Sequence, residues 1–320
     1  MRKRALLLFS GGLDSILSAK VLEAQGIEVI CLRFVSPFFG QDALFDPEGV
    51  KERIKRKYGL RVELHDITDE YIEMLKSPPH GYGKYLNPCL DCKIMMVRKA
   101  VELLPTYGAT FVATGEVLGQ RPMSQRRDAM RIVERDSGAE GILLRPLCAK
   151  RLRSTRVEEE GLVDREQLLS ITGRGRKEQM ELAKRFGIED YPTPAGGCVL
   201  ADPILSKRFR EVLRRYPAPD ANDFLLAQVG RHFFLLDGSW LVIGRNQAEN
   251  ERLKGLLRPG DIEITAPDVP SPTAIWRHAK HMDLKGEVEA RFRRYVKKGP
   301  REFNVEFKEI GPSSNRFCTT

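Results

Sequence analysis

The five apolar residues Ala5 to Phe9 run directly into Ser10-Gly11-Gly12-Leu13-Asp14-Ser15, and this junction limits what the chain can fold into. A buried strand that ends in two glycines and then opens a helix presents unpaired backbone N–H groups to an anion. Gly11 and Gly12 lack a Cβ, so the backbone can turn tightly and lie against phosphate oxygens. Ser10 and Ser15 add hydroxyl donors at the edges. Asp14, one turn into the helix, is placed to hold Mg²⁺ against a polyphosphate. Ile16, Leu17, Ala19, Val21 and Leu22 then follow at the spacing of a helix packed on a sheet.

Strand and helix patterns alternate through the first two hundred residues. Strands are expected at Ala5–Phe9, Glu28–Phe34, Arg61–His65, Thr110–Ala113 and Gly141–Arg145. Helices are expected up to about Gln25 and at Pro47–Tyr58, Leu90–Leu104, Glu166–Thr172 and Arg176–Phe186. Such alternation implies an α/β fold, a doubly wound parallel sheet. Ligands in such sheets bind beyond the carboxyl ends of the strands, where Ser10, Phe34, Thr114 and Arg145 emerge. A break near Ala201–Pro203 separates residues 1–203 from a smaller α+β module, 204–320. There, strands are expected at Phe224–Leu226, Arg231–Leu236, Trp240–Ile243 and Asp261–Thr265, and a helix at Gln247–Leu257.

The chain carries a net charge of +9 over 320 residues. From Leu205 onward 21 Lys and Arg stand against 15 Asp and Glu, so the C-terminal third holds most of the excess. That distribution favours a polyanion such as RNA. No apolar run is long enough to span a bilayer, and the basic start Met1-Arg2-Lys3-Arg4 leads into a strand too short for a signal-peptide core. A cytoplasmic protein with no membrane contact is the expectation, and a homodimer is compatible with it.

Six cysteines are present. Cys31 lies in an apolar strand and Cys148 follows another, so both are expected in the core, and Cys318 reads as a free thiol. Cys89-Leu90-Asp91-Cys92 opens a helix, where the dipole is expected to lower thiol pKa values. Cys198 follows Gly196-Gly197 in a turn. By spacing alone a three-cysteine [4Fe-4S] site with an open iron and a zinc site stand level. A dithiol redox pair ranks behind them. A fourth zinc ligand could in principle be His80, but its Ser-Pro-Pro-His-Gly loop carries no other sign of ligation.

The string Ser10 to Ser15 resembles the PP-loop of the ATP pyrophosphatase superfamily, whose members cleave ATP between the α and β phosphates and adenylate a substrate oxygen. Phe34, Thr114 and Gly115 are expected beside it in the nucleotide site. Asn87-Pro88-Cys89 with Cys92, the segment Ala113-Thr114-Gly115-Glu116-Val117-Leu118-Gly119-Gln120, and Gly196-Gly197-Cys198 are similar to tRNA thiolation enzymes of that superfamily. The second segment with Ser124-Gln125 resembles the 4-thiouridine branch. The two-plus-one cysteines resemble the iron–sulfur-dependent 2-thiouridine and 2-thiocytidine branch. In that branch three cysteines hold the cluster and sulfide is thought to bind its fourth iron. The matching residues are Cys89, Cys92 and Cys198. Gln228–Phe233, Ile243–Asn250 and Pro259-Gly260-Asp261 resemble the RNA-binding domain of the NFACT family.

These resemblances imply an ATP-dependent tRNA sulfurtransferase. A uridine or cytidine carbonyl oxygen is adenylated with help from Asp14, and sulfur then displaces AMP. The sulfur is carried by the cluster or, in a variant, by a persulfide on Cys89 or Cys198. Arg121, Arg126 and Arg127 in the arginine-rich stretch after Gln120 are expected to contact RNA. By the NFACT analogy so are Arg231, His232, Arg245 and Asn246. The familiar 4-thiouridine synthases carry an RNA-capture domain ahead of the loop, for which this chain has no room, and it lacks an appended rhodanese module. RNA capture is therefore expected from the C-terminal module, and sulfur from an external sulfide or persulfide donor. Two rival readings share the loop: a small-molecule ligase or amidotransferase with zinc-bound cysteines, and a non-catalytic RNA-binding factor that senses nucleotide.

Overall fold

The computed structural model describes residues 3–193, 198–279, 282–297 and 302–312. Gly196, Gly197 and Cys318 lie outside the described residues. The chain divides into two compact units, Met1–Ser206 and Lys207–Thr320. No described helix is long and apolar enough to cross a membrane.

In the first unit the order is β1 (Arg4–Leu8), α1 (Leu13–Glu23), β2 (Glu28–Val35), α2 (Gln41–Phe45), α3 (Pro47–Tyr58), β3 (Arg61–Asp66), α4 (Thr68–Lys76) and α5 (Cys89–Tyr107). It continues with β4 (Phe111–Thr114), α6 (Arg127–Asp136), β5 (Leu143–Leu144), α7 (Arg156–Glu159) and α8 (Lys177–Arg185). All five strands are parallel, in the order β3-β2-β1-β4-β5. Ala5, Leu6, Leu7, Phe111, Val112 and Ala113 are all buried. Such unbroken apolar strands are what a sheet covered by helices on both faces requires. Local chemistry sets the helix ends. Asp46 accepts from the Gly49 N–H at 3.0 Å and Pro47 opens α3. Gly59 and Gly108 end α3 and α5 in the left-handed conformation.

From β1 the sheet grows through β2 to β3 on one side and through β4 to β5 on the other. The switch point therefore lies at the carboxyl ends of β1 and β4, where Leu8 pairs with Thr114. A crevice opens there by topology alone. Gly115 makes it tight. A Cβ on Gly115 would lie 2.6 Å from the Ser15 nitrogen and 2.7 Å from the Asp14 carbonyl carbon. Only a glycine lets the exit of β4 rest on the first turn of α1.

Two expected elements are corrected. Glu166–Thr172 is not a helix: a single 3₁₀ turn, Arg165–Gln167, is capped by Asp164. The chain is extended from Leu168. The Leu169 and Ile171 N–H groups donate to the carbonyls of Pro146 and Leu147, both at 2.9 Å, and Thr172 bridges Leu118. Donors taken by neighbouring chain cannot continue a helix. Phe224–Leu226 is not a strand but the end of a helix, Ala221–Leu226. A three-residue apolar run has no readable period, and a reciprocal Asp220–Asp223 capping box decides for helix.

In the second unit α9 (Pro203–Arg215), which begins before the division, and α10 (Ala221–Leu226) precede β6 (Arg231–Phe234) and β7 (Trp240–Ile243). Then follow α11 (Gln247–Leu256), β8 (Ile262–Thr265), β9 (Ala274–Arg277), α12 (Lys285–Arg293) and β10 (Glu306–Glu309). The strands form an antiparallel sheet, β10-β8-β9-β7-β6. Trp276, Val288 and Phe292 join its core. Arg277 is buried, and its guanidinium meets Asp261 at 2.8 and 2.9 Å, Asp223 at 2.9 Å and the Leu256 carbonyl at 2.9 Å. A buried guanidinium is tolerable only with its donors filled in this way.

Replacing Gly115 with Ala is expected to cost about 1–3 kcal/mol, the usual range for overpacking. Urea unfolding checks it, and a cost near zero would show that α1 and the exit of β4 can separate freely.

Candidate functional site

α1 begins without a side-chain cap, because its N-cap is Gly12. No side-chain cap covers its first turn, where the helix dipole favours an anion, although the Ser15 N–H already donates to the Gly12 carbonyl at 3.0 Å. Gly11 has φ +77°, and open space lies where its Cβ would project. The turn is braced from within. Ser15 Oγ donates to the Gly12 carbonyl at 2.7 Å, and the Gly12 N–H donates to Ser10 Oγ at 3.3 Å. Ser10, Gly11, Gly12 and Ser15 thus form one shallow cradle of donors at the end of β1.

The exit of β4 supplies the facing wall. Thr114 is buried, and its hydroxyl donates to Glu116 Oε2 at 3.0 Å. Arg145, 2 % exposed at the end of β5, donates from Nε to the same oxygen at 3.1 Å and also pairs with Glu134. Lys93 on α5 stands 4.0 Å from Glu116 Oε1. Burial alone pushes the Glu116 carboxyl up, but Lys93, Arg145 and the Thr114 hydrogen bond outweigh it and hold it below the ordinary glutamate value. Phe34 is packed rather than open, at 6 % exposure and tilted against His65.

Beyond Glu116 the chain turns back. Gln120 Nε2 donates to Asp14 Oδ2 at 2.9 Å, tying this turn to the phosphate cradle. The next residue, Arg121, is close enough for its charge to lower the thiol pKa of both Cys89 and Cys198. Cys89 is the first residue of α5, and its thiol donates to Asn87 Oδ1 at 3.1 Å. Cys92 is hydrogen-bonded to Tyr71 and lies within electrostatic reach of Cys89 and Cys198. Tyr71 is 1 % exposed, its ring held by Phe38 and Phe39 at 5.3 and 5.1 Å. The three expected thiols therefore share one neighbourhood.

The expected lowering of the thiol pKa is reversed. Burial dominates at all three, pushing Cys92 up to about 12 and raising Cys89 and Cys198 despite Lys93 and Arg121. A metal bound there must displace thiol protons. Among the described residues no three His, Cys, Asp or Glu side chains are gathered tightly enough to hold a metal ion. His80 does not serve as a fourth ligand, since Nδ1 meets Asp91 at 2.7 Å and Nε2 meets Asp136 at 3.1 Å. Cys31 and Cys148 are buried in the core, as expected.

The expected RNA contacts are spread out. Arg126 pairs with Asp128 at 2.5 Å on the surface, and Arg127 is exposed at the start of α6. In the second unit Arg231 donates to the Gly244 carbonyl at 3.0 Å and lies 4.5 Å over the Tyr295 ring. Arg245 pairs with Glu249, and Asn246 caps α11. His232 accepts from the Trp240 indole at 3.1 Å, and burial drives its pKa down to about 3, so it brings no charge to a phosphate.

Sequence reasoning quoted Glu116 and Gln120 only as letters of a motif, and it passed over Tyr71. Tyr71 lies in α4, an element not foreseen. The signal that could have found Glu116 is a carboxylate one residue past an apolar strand end, which has to be paired if buried.

Residues 1–151 match the family described as "Thiamine biosynthesis protein (ThiI)", and residues 230–318 match "NFACT protein RNA binding domain". The resemblance drawn from the motifs is met in both parts of the chain. A "Probable tRNA sulfurtransferase" of Thermococcus kodakarensis is 30% identical over 135 residues, 42% of this chain and 34% of that protein. A "tRNA sulfurtransferase" of Desulfurococcus amylolyticus is 25% identical over 220 residues, 66% of this chain and 39% of that protein. The chain thus spans little more than a third of either relative's length. Among solved structures, a 4-thiouridine synthetase–RNA complex with bound ATP is similar at TM-score 0.37 and 20% identity, over 58% of this chain and 52% of that one. The U34-tRNA thiolase NcsA from Methanococcus maripaludis with its [4Fe-4S] cluster is similar at TM-score 0.34 and 12% identity, over 71% and 70%.

Glu116→Gln leaves Arg145 short of its buried counter-charge and is expected to cost about 3–5 kcal/mol at neutral pH. The Glu116 carboxyl is lowered in the fold, so its contribution is complete above the unfolded value of about 4.3 and fades as pH falls through the folded value. The gap between wild type and variant should begin to narrow below about pH 4.3 and close only as the pH falls through the lower folded value. Urea unfolding across that range checks it, and a gap that persists in acid would contradict the ion-pair account.

Proposed function

We propose that this chain is an ATP-dependent tRNA sulfurtransferase that acts in the cytoplasm. The observation that carries the reading is the pair of consecutive residues Gln120 and Arg121. One is bonded to the phosphate cradle through Asp14, and the other lies in the field of the thiols Cys89 and Cys198. Neighbouring Cα atoms are about 3.8 Å apart, which supports a reaction space shared by the cradle and the thiols.

In this reading the β and γ phosphates of ATP lie over Gly11 and the uncapped start of α1. Asp14 Oδ1 is buried without a hydrogen-bond partner, which suits a carboxylate oxygen meant for Mg²⁺. A uridine or cytidine carbonyl oxygen attacks the α phosphorus, and pyrophosphate leaves. The base carbon now bears AMP as leaving group. Sulfide bonds to that carbon, the C–O bond breaks, and AMP departs with the oxygen; where the sulfur arrives as a cysteine persulfide, its terminal sulfur bonds to the carbon and a second cysteine thiol then cleaves the S–S bond, leaving a disulfide. Glu116, Arg145 and Thr114 keep the β4 wall rigid while this happens.

The thiol set fits a sulfur-ligated centre in residue type. Cys89, Cys92 and Cys198 would hold a [4Fe-4S] cluster, which when bound supplies an iron with a position open to sulfur. Cys92, the most deeply buried and bonded to Tyr71, would be the anchor. Cys89 and Cys198, with Arg121 near both, are the reactive side. The match of residues 230–318 and the basic excess of the C-terminal third support tRNA as the partner.

Anaerobic incubation with unmodified tRNA, ATP and sulfide should yield a thionucleoside by mass spectrometry, with AMP and pyrophosphate. Asp14→Ala is expected to lower AMP release at least a hundredfold, the scale of a lost electrostatic stabiliser. Cys198→Ala should abolish thiolation, and full thiolation in that variant would overturn the cysteine assignment.

A further inference from the structure

The bond between Gln120 and Asp14 leaves two acceptors over. A carboxylate can only accept, so the amide must present its nitrogen to Asp14 Oδ2. The amide oxygen, Gln120 Oε1, then lies at the other end. Both Gln120 Oε1 and Asp14 Oδ1 are buried and without a hydrogen-bond partner. An unsatisfied buried acceptor costs about 1–3 kcal/mol, so two on one bonded pair require a reason.

The pair is held by its surroundings. The Gln120 N–H donates to the Val117 carbonyl at 3.2 Å, and Gly119, at φ +78°, donates to the Gln125 carbonyl at 2.7 Å. Leu118 bridges Thr172, and the Gly173 N–H donates to the Leu118 carbonyl at 2.8 Å. On the other side Gly115 locks the first turn of α1 against β4. Neither side chain reaches its place by a loose loop.

A carboxylate oxygen and an amide oxygen are hard donors, and both lack a positive partner. Mg²⁺ takes one or two protein oxygens and completes its shell with phosphate oxygens and water. We propose that Gln120 is the second protein oxygen ligand, with Asp14, of the divalent cation that accompanies the nucleotide phosphates. This rests on the adenylating function proposed above and adds to it a ligand that also ties the cation to the turn bearing Arg121.

The test uses the full chain with Mn²⁺ as probe, in the presence of ATP, reading free Mn²⁺ by electron paramagnetic resonance. Gln120→Met removes both ends of the amide at nearly constant volume. It is expected to weaken Mn²⁺ binding roughly tenfold or more. Gln120→Glu keeps an oxygen but sets two carboxylates together. It should melt earlier than wild type without metal and recover on adding Mn²⁺. Wild-type Mn²⁺ affinity in Gln120→Met, or a Gln120→Glu melting point that Mn²⁺ does not restore, would overturn the proposal. Asp14→Asn separates the two levels. If it loses Mn²⁺ binding while Gln120→Met does not, Asp14 alone holds the cation. If neither variant loses Mn²⁺, the cation site of the proposed function fails with it.

Discussion

The contact between Gly115 and the first turn of α1 is the constraint on which the rest of the site depends. A parallel sheet whose order reverses between β1 and β4 opens a crevice at their carboxyl ends, but topology does not set its width. The missing Cβ does. With it absent, backbone from the end of β4 lies directly on Asp14 and Ser15, and the donors of the cradle and the wall opposite form one rigid piece. The buried pair of Glu116 and Arg145 then fixes the direction in which the chain leaves β4. The turn that follows is aimed back at Asp14 for that reason.

The two halves of the site make opposite demands on the fold. At the cradle, α1 starts without a side-chain cap and Gly11 faces open space, which leaves donors unmatched. The thiol half needs sulfur held away from water, and burial raises all three thiol pKa values. Neither arrangement favours the unliganded fold. Uncapped donors, buried thiols and two orphaned acceptors together mark a place where stability has yielded to chemistry, as is usual at functional sites.

Charge reads differently in the second unit than it does in the sequence. Arg277 is locked inside by Asp223 and Asp261, Arg245 is paired with Glu249, and Arg231 is laid over Tyr295. Asn246 and the Asp220–Asp223 pair cap helices. Charged residues that look like contacts in a string can thus be parts of the scaffold, because a helix end or a buried guanidinium requires a partner as much as a phosphate does.

Much of this protein is determined locally and is legible in its sequence. The apolar run Ala5–Phe9, the glycines after it and the periodic helix beyond specify a strand–turn–helix unit with an anion cradle. Pro47–Tyr58 and Trp240–Ile243 form the elements their patterns imply, because a cap, a proline or a run of buried residues settles each within a few positions. Where the deciding partner is distant, the sequence is silent or misleads. Residues 168–172 are not helical because Pro146 and Leu147 take the N–H groups of Leu169 and Ile171. The thiols of Cys89 and Cys92 are raised because packing buries them, although they lie at a helix start. The association of Tyr71 with Cys92, and of Gln120 with Asp14 across 106 positions of chain, has no local signature at all. Sequence determined the chemistry available at each end of the site. Only the tertiary structure decided that these ends meet, because a side chain's pairing depends on what the fold carries to it.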